Sequence, residues 1–197
     1  MKKYSANLAF VDLMFNLCIG FVSLFIISFL LINPIAKTGS VDPPVLLIIE
    51  MTWEDTSKRD IDLYLRGPDG NIVYYASRDN GYATLKRDDL GGRSDTYIVN
   101  GVEHEVERNY EIITLSALPD GDYVINAHFF GLGTVRDHNS TEAISIRMTG
   151  LQPFMIYFEA DLVTKYREEV TAAAFKVVNG EIQELHTDIQ VKLRTTR

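Results

Sequence analysis

The sequence predicts a mainly β protein in which a single N-terminal transmembrane helix precedes an antiparallel β-sandwich domain. Three observations predict it. Residues 8–32 form an apolar run with one charge. After residue 44 the chain is dense in short β-branched and aromatic segments, separated by Gly, Pro, Asn and Asp. No later segment has a persuasive long helical period. The longest candidate, residues 162–175 (LVTKYREEVTAAAF), reads better as two strands around a charged turn. The 197 residues suffice for one full-sized domain plus an appendage. The expected division is a cytoplasmic tail (1–7), a helix (8–32), a linker (33–44) and an outer domain (45–197).

The helix comes first. At about 1.5 Å per residue, residues 8–32 span on the order of 37 Å, enough to cross a hydrocarbon core of roughly 30 Å with some tilt. Lys2 and Lys3 precede it, which places the N-terminus in the cytoplasm by the positive-inside rule. A cleaved signal peptide has a shorter apolar core and small residues before the cut; this run is long and rich in Phe, so an uncleaved anchor is expected. A lipoprotein site at Cys18 is excluded by Leu17, where a small residue is required. As the single cysteine, Cys18 also excludes an intrachain disulfide.

Asp12 is the most informative residue. An acid near the centre of a membrane helix costs about 2.5–3.5 kcal/mol, and Asp12 lies about one turn inside the cytoplasmic end, where the cost is lower. At 3.6 residues per turn, Asn16, Gly20 and Ser23 fall about 40°, 80° and 20° from Asp12. One stripe therefore carries Asp, Asn, Gly and Ser, and the rest of the helix is apolar. Such a stripe is what a helix shows to a protein partner or a water-filled path; plain helix packing and snorkelling of Asp12 are the bland alternatives.

The stretch AFVDLMFNLCIGFVSLF resembles the N-terminal helix of ExbD/TolR and MotB proteins and of the B-type subunits of Zorya defence systems. These are subunits of ion-driven membrane motors. The resemblance implies that Asp12 takes up and releases a proton or sodium ion. It also implies a homodimer of such helices inside a ring of multi-span A-type subunits of the ExbB/MotA kind, in a bacterial inner membrane with the C-terminal domain in the periplasm. Asp12 is the position that carries over; Asn16, Gly20 and Ser23 are candidates to face the pore by their place on its stripe.

The linker NPIAKTGSVDPP has three prolines and no periodicity. The strands expected beyond it are VLLIIEMTW, IDLYLR, NIVYYA, YEIITLS, DYVINAHFF, AISIRM, FMIYFEADLV, AAFKVV, EIQELH and DIQVKLR. Gly67-Pro68-Asp69-Gly70 marks one hairpin, 117–121 (ALPDG) a second and Asn179-Gly180 a third. Trp53 is expected in the core. Residues 45–131, with D-x-D-L at 60–63, P-x-G at 68–70 and the Gly/Asp-rich 88–95, resemble bacterial domains related to YfaP, the domain of unknown function 2135. That resemblance implies a fold and an extracytoplasmic habitat. The OmpA-like module with which MotB-type proteins grip peptidoglycan is not recognisable.

Charge and chemistry narrow the function. Seventeen basic and 26 acidic residues follow residue 32, a net of −9. That balance argues against nucleic acid as a partner. Asp60, Asp62, Asp88, Asp89 and Asp95 cluster near expected loops. They read first as acceptors for turn backbone and as solvated groups, with calcium as the alternative ligand. His104, His128, His138 and His186 have no zinc spacing, and no Gly-x-Ser-x-Gly or phosphate loop occurs, so no enzyme and no other cofactor is expected. The leading expectation is a motor subunit that uses Asp12 for ion translocation and its outer domain to transmit force or bind an unknown target. The alternative is a membrane-tethered binding protein with a passive anchor.

Overall fold

The computed structural model describes residues 3–32, 44–91, 96–105, 108–131 and 138–193. The chain divides into two compact units, 1–42 and 43–197. All of the expected linker except Pro44 lies outside the described residues, as does Asp95.

The first unit is one helix, α1 (Lys3–Ile32). It begins inside the expected tail, since residues 3–7 (KYSAN) contain no Gly or Pro to stop it. Its apolar stretch Asn7–Phe29 is long and apolar enough to cross a membrane.

The second unit is an antiparallel sandwich. One sheet runs β10 (Phe154–Lys165), β9 (Thr141–Leu151), β1 (Leu47–Trp53), β7 (Tyr110–Leu115), β4 (Ala83–Arg87). The other runs β12 (Glu181–His186), β11 (Glu169–Val178), β8 (Gly121–Gly131), β2 (Asp60–Arg66), β3 (Ile72–Val73). A separate hairpin joins β5 (Thr96–Val99) to β6 (Val102–Glu105). Period-two alternation drives the packing. In β1, Leu47, Ile49, Met51 and Trp53 are buried while the residues between them are half-buried. Ile61, Leu63 and Leu65 of β2 and Ile125, Ala127 and Phe129 of β8 meet them from the facing sheet in a single core. Trp53 is in that core, as expected.

Turn chemistry sets two of the expected hairpins. β2 and β3 pair through Leu65–Val73 and Arg66–Ile72 around Gly67 to Gly70. Asn179 and Gly180 both have positive φ, at 54° and 76°, the signature of a type I′ turn between β11 and β12. The charged turn expected in 162–175 is also present, between β10 and β11, with Arg167 at φ 64°.

Three expectations need correction. Residues 117–121 do not close a hairpin: β7 lies in one sheet and β8 in the other. Both flanks of β7 are already taken, by β1 and β4, so the chain must leave the sheet. The crossover passes close to the β2–β3 turn, where a Cβ on Gly121 would sit 2.5 Å from Pro68 Cβ. The Tyr123 hydroxyl, donating to the Pro119 carbonyl at 2.8 Å, fastens the corner. Second, the described residues of DIQVKLR, 188–193, form no strand. β11 is flanked by β8 and β12, so the tail is held instead by side chains: Val191 N–H donates to Thr171 Oγ1 at 2.9 Å, and Asn126 Nδ2 donates to the Val191 carbonyl at 2.6 Å. Third, NIVYYA supplies only the two-residue β3. β4 and the β5–β6 hairpin were not expected, although Asn100-Gly101 carries the same turn signal as Asn179-Gly180.

Truncating Phe129, which is fully buried, is expected to cost about 3–5 kcal/mol. Urea unfolding of Phe129→Ala against the unaltered chain in detergent measures it. A second expectation concerns Asp79, which accepts the Thr84 hydroxyl at 2.6 Å and Gly81 N–H at 2.8 Å. The Thr84 bond first, and then the Gly81 N–H, hold its pKa below the ordinary carboxylate value. The stability this contributes is present above that ordinary value and is lost as pH falls through the folded pKa. Asp79→Asn should therefore unfold more easily than the unaltered chain at neutral pH. The gap between the two urea midpoints should close in acid.

Candidate functional site

Two places in the described residues concentrate chemistry. The first is α1. Its described side chains from Asn7 to Phe29 are exposed, Asp12, Asn16 and Ser23 among them. Helical geometry alone aligns them within one face. A Cβ at Gly20 would meet nothing within 4 Å, so this glycine offers a close-approach surface to something outside the chain.

The second place is buried in the sandwich and is built from three separate segments. β3 pairs with β2 only at Leu65 and Arg66, so among the described residues the flank of β2 from Leu63 back to Asp60 has no strand beside it. Residues 88–91, following β4 of the other sheet, lie at this flank. A Cβ on Gly91, whose φ is +62°, would fall 2.7 Å from the Lys58 and Arg59 carbonyls. Glu111 of β7 is in phase with the inward Ile113 and Leu115, and it reaches across. Leu63 N–H donates to its Oε2 at 2.7 Å and Asp89 N–H donates to its Oε1 at 3.2 Å. One carboxylate thus ties β2 of one sheet to the loop that follows the edge strand of the other.

The neighbours of Glu111 are also acids. One oxygen from each of Asp62, Asp88 and Glu111 lies within 4.8 Å of the other two. Asp62 is buried, with the Tyr64 hydroxyl and His128 Nδ1 each 3.5 Å from its Oδ2. Asp88 pairs with Arg78 through Oδ2. Burial first, and then repulsion from Asp62 and Asp88, raise the Glu111 pKa well above its ordinary value, against the two backbone N–H donors that favour its charge. Among the described residues this is the group of His, Cys, Asp and Glu whose ligand atoms are close enough to hold a metal ion.

Of the five acids predicted as calcium candidates, Asp95 lies outside the described residues, and the fold brings Asp62 and Asp88 together. Asp89 lies beside them with a structural task. It accepts Gly91 N–H at 3.1 Å and Tyr110 N–H at 3.3 Å, and pairs with Arg87 at 3.0 Å. Asp60 sits two residues before Asp62, at the end of β2 opposite Gly131. Glu111 was missed. Its signal is a charge in phase with Ile113 and Leu115, but the other phase of YEIITL also carries Tyr110 and Ile112, so alternation did not single it out. The histidines stay apart. His104 stacks on Tyr97 at 5.2 Å, His138 lies 5.3 Å from Tyr166 and His186 is 3.7 Å from Glu184.

No protein-family profile matches the chain, and no curated protein does. A solved crystal structure described as unknown function protein SAV2460 is 16% identical, with a TM-score of 0.49, over 77% of this chain and 92% of that one.

Removing the Asp89 carboxylate would leave Gly91 and Tyr110 N–H without their acceptor and Arg87 without its buried partner. Asp89→Ala is expected to cost about 3–5 kcal/mol, the scale for breaking a buried ion pair from one side. Urea midpoints at neutral pH test this, and a change below about 1 kcal/mol would show that the loop is not held this way.

Proposed function

We propose that this protein is a B-type subunit of an ion-driven membrane motor. The single observation that carries this reading is Asp12, placed in a continuous apolar helix and aligned with Asn16, Gly20 and Ser23. Lipid cannot satisfy that stripe, so it needs a protein or water-lined partner. The resemblance of residues 9–25 to the ExbD/TolR and MotB helix supports the same partner: a ring of multi-span subunits around a dimer of this chain. In this reading the helix crosses the inner membrane with Lys2 and Lys3 on the cytoplasmic side and the sandwich in the periplasm.

The chemistry assigned to Asp12 is proton or sodium exchange. A carboxylate can take up and give back either ion, and polar contacts made or broken as a ring subunit passes would drive that exchange. Ion flow is converted into relative movement of helix pair and ring. The sandwich would carry that movement to an extracytoplasmic target. A membrane-tethered binding protein, whose anchor is passive, has no use for Asp12.

Asp12→Asn separates the two. Asn preserves size and hydrogen bonding but cannot release a proton, and it lowers the cost of insertion. The expected outcome is an assembled complex with no ion flux after reconstitution and loss of the phenotype of the intact gene. Asn16→Ala, one turn away, should reduce flux without abolishing it. Normal flux and phenotype in Asp12→Asn would exclude the motor and leave the passive anchor.

A further inference from the structure

We propose that Asp62, Asp88 and Glu111 form a binding site for one calcium ion inside the sandwich domain. This site is separate from Asp12 and does not depend on the motor reading.

Geometry is the first support. One oxygen of each carboxylate lies within 4.8 Å of one oxygen of each of the others. Oxygen ligands sit about 2.3–2.6 Å from calcium, so two ligands of one ion are separated by no more than about twice that distance. The three acids come from β2, from the loop after β4 and from β7, so the fold assembles them across both sheets.

The second support is independent of their spacing. The Asp88 side chain is only 7% exposed. Its Oδ2 takes Arg78, but its Oδ1 is buried and accepts no hydrogen bond among the described residues. A buried carboxylate oxygen without a donor is costly, and native folds rarely leave one so. A cation between the three acids satisfies it.

Burial gives the third support. Asp62 and Glu111 are 3% and 1% exposed, so an ion held between them and Asp88 is shielded from bulk water. The ligand set is all carboxylate, which selects a hard cation over zinc or copper. Three acids in a buried frame leave the rest of the calcium shell to water and backbone oxygens.

The full-length chain in detergent micelles, freed of metal with a chelator, tests this. Calcium titrated calorimetrically should bind one per chain, with Kd at or below the 10⁻⁴–10⁻³ M scale of extracellular calcium modules, roughly. Magnesium at equal concentration should bind at least about tenfold more weakly, since it demands tighter octahedral geometry and dehydrates reluctantly. Asp88→Asn and Glu111→Gln should each weaken calcium binding about tenfold or more. If either variant fails to fold, terbium replaces calcium in the unaltered chain. Tyr64, beside Asp62, would sensitise its luminescence, and calcium should displace it. No saturable calcium binding at 10 mM and no calcium-displaceable terbium signal would overturn the proposal. So would calcium affinity unchanged in folded Asp88→Asn and Glu111→Gln, which would mean that the ion sits elsewhere.

Discussion

The cross-sheet reach of Glu111 is the interaction on which the sandwich's open flank depends. β3 is two residues long, so among the described residues most of β2 has no strand on that side. An unpaired backbone N–H at a buried edge costs as much as a lost hydrogen bond, and an exposed one invites pairing with another chain. Glu111 removes both problems at Leu63 and at Asp89 with one side chain. The loop it holds carries Asp88 and Asp89, and Asp89 in turn fixes Gly91 and Tyr110. The flank of β2, the loop after β4 and the acidic cluster therefore share one buried carboxylate. That carboxylate is expensive. Its burial and its acidic neighbours favour the neutral form, while its two N–H donors reward the charged one.

An acid among apolar residues occurs in both units, but its polar partners differ. Glu111 has donors from its own chain and rigid surroundings. Asp12 has none among the described residues, and its helix exposes it together with Asn16 and Ser23. A group satisfied within its own fold is suited to hold structure. A group that must be satisfied from outside is suited to respond to what comes near it. This contrast, more than the presence of either acid, separates the structural carboxylate from the one proposed to move an ion.

Much of the architecture was legible because local rules and tertiary packing agree. The apolar run of α1, the alternation in β1 and the Asn179-Gly180 turn each dictate one outcome. Where the rules underdetermine, the reading went astray. Proline, aspartate and glycine at 119–121 serve a hairpin or a crossover equally well, and the pairing of β7 on both flanks decides between them. DIQVKLR has strand composition, but its ladder position is occupied, so Thr171, Asn126 and Glu169 hold it with side chains. Two of the three acids in the cluster, Asp62 and Asp88, were visible in the sequence. Its keystone was not, because Glu111 is distant from them in sequence and its inward phase is masked by Tyr110 and Ile112 in the other phase. Long-range convergence of this kind leaves little trace in local pattern.

In the proposed motor, the outer domain has to pass movement onward without deforming. A sandwich resists shear between its sheets through interdigitated core side chains, and its weakest points are edges where a ladder stops early. The flank of β2 is such an edge. It is closed by charge and hydrogen bonds instead of a strand: Glu111 to Leu63, Arg87 to Asp89, Arg78 to Asp88. Polar closure is directional, so it fixes the loop after β4 in one position where an apolar contact would tolerate sliding. It also brings Glu111 within reach of Asp62 and Asp88, so the calcium ion proposed there would tie both sheets and the loop after β4 to a single point.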